Sequence, residues 1–248
     1  MKLISVCGIS KSGKTTTVQA IISGLTARGY TVGSVKEIHF KSFMMDTPGT
    51  NTYRHHVAGA DTVCAIGPNE TDFLHYKKLP LNEILTRFNE DFVVMEGVYE
   101  GDFPKIIVGH TAEDVLERVD KNTIAVSGLA AALFPDGCNG LPSIDPLTEP
   151  ERLVDLVLSR CFERLPGLSA DCCGACGFDC SAMTTRIIKG EAVHGDCKNK
   201  KSLSLTIGGQ DIEMVPFVQA VLSKMIVGFA SELRGYKEGA PIEIKIGE

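Results

Sequence analysis

Features that would define a nucleic-acid-binding or a membrane protein are missing from this sequence. Its 248 residues carry a formal net charge of -6 at pH 7, so there is no overall positive charge to attract a phosphate backbone. No apolar run is long enough to cross a bilayer. The first residues lead directly into a glycine-rich motif and leave no room for a signal peptide. We therefore expect a cytoplasmic protein that binds neither nucleic acid nor membranes.

The composition indicates a folded protein with a substantial core. Hydrophobic residues make up 44% of the chain, and 248 residues are enough for one large domain or two small ones. A Pro166-Gly167 pair ends a helix predicted over residues 149–165 and indicates a domain boundary. We therefore expect a first domain over residues 1–167 and a second, smaller unit over residues 168–248.

The most informative stretch runs from Gly8 to Thr15 and reads Gly-Ile-Ser-Lys-Ser-Gly-Lys-Thr. It fits the Walker A pattern G-x-x-x-x-G-K-[ST] at every fixed position. A buried strand is predicted over residues 2–7 and a helix over residues 15–28, which is the context that this phosphate-binding loop requires. Backbone N–H groups of the turn and the dipole of the helix would face a bound anion. We expect Lys14 to reach the β- and γ-phosphates and Thr15 to hold Mg²⁺.

A second apolar strand ends in the acid that would complete such a site. Residues 91–97 read Asp-Phe-Val-Val-Met-Glu-Gly. A further strand predicted over residues 31–36 forms a βαβ unit with the first strand and helix, so we expect an α/β fold with a mostly parallel sheet. Such sheets place ligands at the carboxyl ends of their strands. Glu96 lies at that end, where it can hold the Mg²⁺ shell or orient the attacking water.

Residues 37–59 form a long segment with no predicted helix or strand. Segments of this length in compact domains are usually functional or disordered. The segment contains His39, Lys41 and Arg54, so beside a phosphate site it could contact a second anion or respond to the γ-phosphate. A solvated surface loop is the alternative.

Nine cysteines are present, and five of them lie between residues 172 and 197. In a reducing cytosol such a group indicates a metal site and not a framework of disulfides. The spacing C-x2-C-x3-C-x16-C joins four of them: Cys173, Cys176, Cys180 and Cys197. Three lie in one glycine-containing turn and the fourth follows a predicted helix, a distribution that favours a [4Fe–4S] cluster. Zinc, or no metal, are the alternatives, and Cys172 could replace Cys173 as a ligand.

The pattern after the cysteine-rich module predicts a small α+β unit. Gly208-Gly209 lies between two short apolar stretches and is typical of a hairpin. Residues 242–246 alternate as a strand does. Between them we predict a helix whose apolar stripe belongs to the core: Val218, Val221, Leu222, Met225, Ile226 and Phe229.

An ordered set of motifs in residues 1–165 resembles the molybdopterin-guanine dinucleotide biosynthesis protein B (MobB) family. The set begins with the P-loop and continues with Val35-Lys36 and His39, Asp46-x-Pro48-Gly49-x-Asn51-Thr52, Arg54, Gly59-Ala60, Met95-Glu96-Gly97 and Pro104-Lys105-Ile106. Short bacterial members lack the cysteine module. The module resembles that of longer archaeal or anaerobe relatives and the four-cysteine domains of anaerobic electron-transfer proteins.

The resemblance implies a P-loop domain of the signal-recognition-particle type, usually dimeric, that binds GTP and Mg²⁺ and hydrolyses GTP weakly. It implies nucleotide contacts from Gly8, Ser10, Lys11, Ser12, Gly13, Lys14, Thr15, Thr16, Lys36 and His39. Lys14, Asp46 and Glu96 would be catalytic, and Thr15 and Glu96 would hold Mg²⁺. The chain has no N-K-x-D element to select guanine, so GTP over ATP rests on the resemblance alone.

Three functional hypotheses remain open at this point. The leading one is an accessory protein of molybdenum- or tungsten-cofactor maturation that carries an iron–sulfur module and assists a molybdopterin nucleotidyltransferase. The second is a metallochaperone-like P-loop NTPase whose cysteines deliver or sense a metal. The third is a redox-responsive adaptor whose P-loop mainly drives dimer docking.

Overall fold

The computed structural model describes residues 1–167, 174–198, 203, 205–207, 210–212, 214–237 and 242–244. The strands are β1 (Lys2–Gly8), β2 (Val32–Lys36), β3 (Thr62–Ile66), β4 (Thr71–His75), β5 (Phe92–Glu96), β6 (Lys105–Val108), β7 (Thr123–Ser127), β8 (Ser143–Ile144), β9 (Thr206–Ile207) and β10 (Gln210–Asp211). The α-helices are α1 (Lys14–Ala27), α2 (Asn51–Val57), α3 (Leu81–Leu85), α4 (Ala112–Leu116), α5 (Pro150–Arg160), α6 (Cys180–Ile188) and α7 (Pro216–Ser231).

A six-stranded sheet in the order β2-β5-β1-β6-β7-β8 organises the first part of the chain. Every neighbouring pair in it is parallel, which confirms the predicted α/β class. Alternate residues of β1 face opposite sides of the sheet, as the geometry of a strand requires. Ile4 and Val6 pack beneath α1 and α5, whereas Leu3 and Cys7 belong to two clusters on the other face.

The segment over residues 37–59 is more ordered than its sequence indicates, because it contains the helix α2. Thr50 caps this helix, since its Oγ1 accepts a hydrogen bond from Tyr53 N at 3.1 Å. None of the residues of α2 is buried, so no apolar periodicity marks it in the sequence. The strand β4, which we did not predict, pairs antiparallel with β3 in a separate two-stranded sheet.

The helix predicted over residues 149–165 is too long, because α5 ends at Arg160. The next residues are extended along the start of β1: Glu163 forms a bridge with Lys2, and Arg164 N donates to Met1 O at 3.2 Å. Pairing with the amino end of β1 therefore takes the place of the last helical turn.

The last part of the chain agrees only partly with its predicted α+β pattern. β9 and β10 pair antiparallel as predicted, although the Gly208-Gly209 turn lies outside the described residues. α7 forms, but its assignment to the core is wrong, since Met225 is 66% exposed and Phe229 is 69% exposed. Residues 242–244 adopt no strand, and the remainder of that prediction lies outside the described residues. In the described part of the chain, no helix combines the length and apolarity that a membrane span needs.

Candidate functional site

The carboxyl edge of the sheet brings the two predicted nucleotide motifs together. In the parallel register Val6 of β1 lies opposite Glu96 at the end of β5, and Lys36 at the end of β2 lies opposite Glu96 from the other side. The P-loop leaves β1 two residues after Val6. The strand order therefore places the P-loop beside the predicted magnesium-binding acid, as sequence reasoning expects of an open α/β sheet.

The backbone of the P-loop adopts conformations that favour glycine. Gly8 and Gly13 have φ angles of 153° and 95°, and Lys11 has a φ of 62°. The loop packs closely against the turn after β7: a Cβ on Gly13 would lie 2.9 Å from Gly128 Cα, and Leu129 N donates to Ser12 O at 3.1 Å. A side chain at Gly8 or Gly13 would collide with β6 or with the turn after β7, so only glycine lets the loop take this shape. A loop of this shape is the kind whose backbone N–H groups bind phosphate, so the residues present fit that group.

Replacing Gly8 by alanine should destabilise the fold, because the new Cβ would collide with the carbonyl oxygen of Val108 in β6. Gly49→Ala is the matched control: Gly49 also has a positive φ, 104°, but has no atom within 4 Å of the added Cβ. We expect Gly8→Ala to lower the free energy of unfolding by about 2 kcal/mol more than Gly49→Ala does. Urea unfolding followed by circular dichroism measures this difference. Equal losses of unfolding free energy in the two variants would contradict the close packing of Gly8 against Val108.

Lys14 places its charge inside the loop. Its Nζ donates to Gly8 O at 3.0 Å and also to Ile9 O. Ser12 Oγ donates to Ile9 O at 2.8 Å and holds the same turn. Burial lowers the pKa of Lys14 relative to an ordinary lysine. The ammonium group is therefore positioned where a Walker A lysine is expected to contact phosphate oxygens.

Thr15, Glu96 and Lys36 meet at one point. Thr15 Oγ1 donates to Glu96 Oε1 at 3.0 Å, and Lys36 Nζ lies 3.0 Å from the same oxygen. The Glu96 side chain is 10% exposed and that of Lys36 is 55% exposed. His39 is close by, since a Cβ on Gly97 would lie 4.0 Å from its Nε2. A hydroxyl and a carboxylate at this spacing are the oxygen donors that suit Mg²⁺, and Lys36 adds a cation for an anionic ligand.

Asp46 lies in a different environment from the other predicted acid. Its Oδ1 accepts hydrogen bonds from Thr50 Oγ1 at 2.5 Å, Thr52 Oγ1 at 3.0 Å and Thr47 N at 2.9 Å. Its Oδ2 accepts from Tyr76 OH at 2.8 Å. The bond from Thr50 and the bonds from the other three donors lower the pKa of Asp46. These bonds tie the turn before α2 to the end of the β3–β4 hairpin, so Asp46 holds this segment in place. The catalytic role that the resemblance implies for Asp46 stays a prediction.

Replacing Asp46 by asparagine should loosen the segment over residues 37–59, because an amide cannot accept all four of these bonds. We expect chymotrypsin to cut faster near Phe40, which is 80% exposed, and several-fold faster than in the wild-type protein. Since folding lowers the pKa of Asp46, its contribution is complete above about pH 4 and is lost below it. The wild-type segment should therefore become equally sensitive only in acid, where pepsin takes the place of chymotrypsin in the assay. Unchanged cleavage together with lost hydrolysis would instead favour direct catalysis by Asp46.

Two residues near these sites were missed by the sequence analysis. His110 Nε2 lies 3.0 Å from Ser10 O and so flanks the P-loop. The sequence does contain a sign of His110, because this residue follows the apolar strand β6 and therefore lies at the carboxyl edge of the sheet. Tyr76, the partner of Asp46, stacks on His56 with ring centroids 3.6 Å apart. Burial and the ionised Asp46 raise the pKa of Tyr76 to about 12. No local pattern marks this pair, because residues 56 and 76 meet only through the fold.

Three of the predicted cysteine ligands belong to one packed cluster. Cys197 is buried, and Cys176 and Cys180 are partly buried against the same apolar side chains, which include Leu165 and Met183. None of the three is in a disulfide. Cys173 and the spare Cys172 lie outside the described residues. Within the part of the chain that the structure describes, no three potential ligands converge on a metal position. Three thiols in one cluster are nonetheless the donor chemistry that iron–sulfur and zinc sites use.

The cysteine module packs against the amino edge of the sheet. Thr185 Oγ1 of α6 donates to Asn122 Oδ1 at 2.8 Å, and Ser181 Oγ donates to Asp102 Oδ1 at 2.7 Å. Ile188 at the end of α6 belongs to the same core cluster as α1 and α5. The P-loop lies at the carboxyl edge, so the two predicted sites occupy opposite ends of the strands.

Comparison with known proteins agrees with the motifs. The family model for molybdopterin guanine dinucleotide synthesis protein B (MobB) matches residues 3–128, just over half of the chain. A Methanocaldococcus jannaschii protein, provisionally named a molybdopterin-guanine dinucleotide biosynthesis adapter protein, is 27% identical over 254 residues, which cover 99% of this chain and 97% of the relative. The Escherichia coli adapter protein of that name is 27% identical over 137 residues, covering 50% of this chain and 77% of the relative.

A solved structure gives the same result for the fold. The crystal structure of Bacillus subtilis MobB superposes with a TM-score of 0.50 and 25% sequence identity, and the match covers 64% of this chain and 97% of that one. The match to the archaeal relative covers 99% of this chain and so includes the cysteine module, whereas the match to the bacterial structure covers 64% of it. From the matched motifs and the sheet that carries them, we conclude that the chain belongs to the MobB family.

Proposed function

We propose that this protein is a GTP-binding accessory protein of molybdopterin guanine dinucleotide biosynthesis that hydrolyses GTP slowly in the cytoplasm. The observation that carries the proposal is the 3.0 Å contact between Thr15 and Glu96 at the mouth of a P-loop. The names of the curated relatives, which call them adapter proteins of this biosynthesis, support it. The proposed partner is the nucleotidyltransferase that joins GMP to molybdopterin.

Each residue of the site has a distinct part in this proposal. Backbone N–H groups of the P-loop and Lys14 bind the phosphates, and Thr15 with Glu96 holds Mg²⁺, which neutralises charge on the phosphate oxygens. Lys36 balances Glu96 before nucleotide binds, because its ammonium lies 3.0 Å from the carboxylate. Glu96 also orients the attacking water. The exposed apolar side chains of Phe40, Met45 and Phe73 support a homodimer as the assembled form.

Two measurements test this function. Competition between GTP and ATP for the P-loop should favour GTP, and the nucleotidyltransferase from the same cell should be retained by immobilised protein loaded with a nonhydrolysable GTP analogue. If the protein binds GTP but does not retain the nucleotidyltransferase, it is a nucleotide-binding protein of another pathway. Equal affinity for ATP and GTP would contradict the guanine preference.

We further propose that Cys173, Cys176, Cys180 and Cys197 bind a [4Fe–4S] cluster. The packing of Cys176, Cys180 and Cys197 in one cluster supports this assignment, since cluster ligands must reach one small volume. Thiolates of this kind bind iron–sulfur clusters and also zinc, so metal analysis distinguishes the two. The match to the archaeal relative covers 99% of this chain and so includes the module.

Replacing Cys197 by serine should remove the metal while the P-loop domain keeps its fold. Protein purified without oxygen should be brown and hold about four iron atoms per chain, and Cys197→Ser should be colourless and hold none. Cys64→Ser is the matched control, because Cys64 is an exposed cysteine on β3 outside the module. Iron and zinc analysis measures the outcome. A colourless wild-type protein with one zinc would contradict the iron–sulfur assignment, and unchanged iron in Cys197→Ser would contradict the ligand.

A further inference from the structure

A cavity lies at the amino edge of the sheet, at the opposite end of the strands from the P-loop. It has a volume of about 260 Å³ and is bounded by residues 119–124, the turn over residues 139–142, Arg160 at the end of α5, and Ile188-Lys189 at the end of α6. Thr123 is the first residue of β7 and Pro142 directly precedes β8, so this is the amino edge. Because its wall includes the end of α6, the cavity exists only where the cysteine module packs on the P-loop domain.

The cavity is positively charged, although the whole chain is acidic. Lys121, Arg160 and Lys189 line it, and among the lining residues Asp120 is the one acid. That carboxylate is already neutralised, since its Oδ2 accepts from Lys105 Nζ at 2.7 Å. Three cations therefore share one concave surface in a chain whose net charge is -6. A concave surface of one charge sign concentrates ligands of the opposite sign.

Two of the cations are held by hydrogen bonds and have further N–H donors that these bonds do not use. Arg160 NH1 donates to Ile188 O at 3.1 Å, but a guanidinium has five N–H donors. Lys121 Nζ donates to Ser181 Oγ at 3.2 Å, but an ammonium has three. Both bonds reach residues of α6, so they fix the cations across the junction between the two parts of the chain. The remaining donors can bind oxygens of an anion.

The rest of the lining limits the size and nature of the ligand. Apart from Thr123, Asn139 and Gly140, the uncharged residues of the lining are apolar: Val119, Ile124, Leu141, Pro142 and Ile188. Sites for drug-sized ligands occupy about 300–1,000 Å³, so 260 Å³ suits a ligand smaller than a nucleotide. We propose that this cavity is a second anion site, which binds a small phosphate monoester with its phosphate on Arg160 and Lys189 at the carboxyl end of α6, its carbon skeleton on the apolar side chains, and its far end towards Lys121.

Binding of glycerol 3-phosphate, with glycerol as the neutral control, tests this site separately from the P-loop. The titrations are made by calorimetry on Lys14→Ala protein and on wild-type protein saturated with GTP. Each protein should bind one equivalent of glycerol 3-phosphate and no glycerol. In each background Lys189→Ala should weaken binding about tenfold, the effect of one lost charge-assisted hydrogen bond, and Lys121→Ala should weaken it less. Lys77→Ala removes an exposed lysine outside the cavity and should change nothing.

Two outcomes would overturn the proposal. One is the absence of binding at millimolar glycerol 3-phosphate in both backgrounds. The other is unchanged affinity in the Lys121→Ala and Lys189→Ala proteins with lowered melting temperatures, which would mean that the cations only stabilise the carboxyl ends of α5 and α6. Because GTP binding at the P-loop is measured independently, failure here leaves the proposed nucleotide function standing.

Discussion

Lys14→Ala should abolish GTP binding in a protein that still folds. The Nζ of Lys14 already lies within the P-loop, where it donates to the carbonyl oxygens of Gly8 and Ile9. Each charge-assisted hydrogen bond to a phosphate is worth about 1.5–3 kcal/mol, so losing two weakens binding by roughly a hundredfold or more. Equilibrium titration with a fluorescent GTP analogue measures this loss.

The control for this variant is Lys77→Ala, which removes the same charge from an exposed position outside the P-loop. Its affinity for GTP should equal that of the wild-type protein, and both variants should melt close to the wild-type temperature. Undiminished GTP binding by Lys14→Ala would show that the P-loop does not bind the phosphates. An equal loss of GTP affinity in Lys77→Ala would show that the affinity depends on the net charge of the protein and not on the position of Lys14.

Glu96→Gln should remove the magnesium dependence of GTP binding and most of the hydrolysis. Glutamine keeps the size of the side chain and an oxygen that can accept from Thr15, but it lacks the charge that binds Mg²⁺. Glu96 is buried at the end of β5 and accepts from Thr15 at 3.0 Å, so solvent cannot readily replace it. Loss of a group that positions the attacking water typically costs about 10²–10⁴ in rate.

Phosphate release at saturating GTP measures hydrolysis, and titration with the fluorescent GTP analogue, in Mg²⁺ and in EDTA, measures binding. Glu96→Gln should bind GTP equally in both buffers, whereas wild-type protein should bind more tightly with Mg²⁺. Glu83→Gln, at an exposed acid of α3, is the matched control and should behave as wild type. Retention of normal hydrolysis and of magnesium dependence in Glu96→Gln would assign the metal-binding acid to another residue.

The geometry of the candidate nucleotide site could be predicted from the sequence because its determinants are local. The P-loop pattern fixes its own turn, and an apolar run buried at every position of β5 identifies a central parallel strand. Once the strands are parallel, their carboxyl ends must share an edge, so Glu96 beside Thr15 follows from β-sheet geometry. The contact at 3.0 Å agrees with that inference.

Features that depend on long-range contacts could not be predicted in this way. Asp46 matches a family motif, but its bond to Tyr76 joins residues 30 positions apart and gives no sequence pattern. The helix α2 has no buried residue and therefore no periodicity to detect. α7 has the periodicity of a core helix, yet Phe217 and Met225 are exposed in the described chain, because an apolar stripe does not specify what covers it.

The structure of the protein bound to a nonhydrolysable GTP analogue and Mg²⁺ would test the central claim most directly. We predict that the phosphates lie in the loop from Gly8 to Thr15, that Lys14 Nζ moves from the loop carbonyls to phosphate oxygens, and that Thr15 and Glu96 hold Mg²⁺. Nucleotide bound elsewhere on the chain, or Mg²⁺ held without Thr15 and Glu96, would contradict the account.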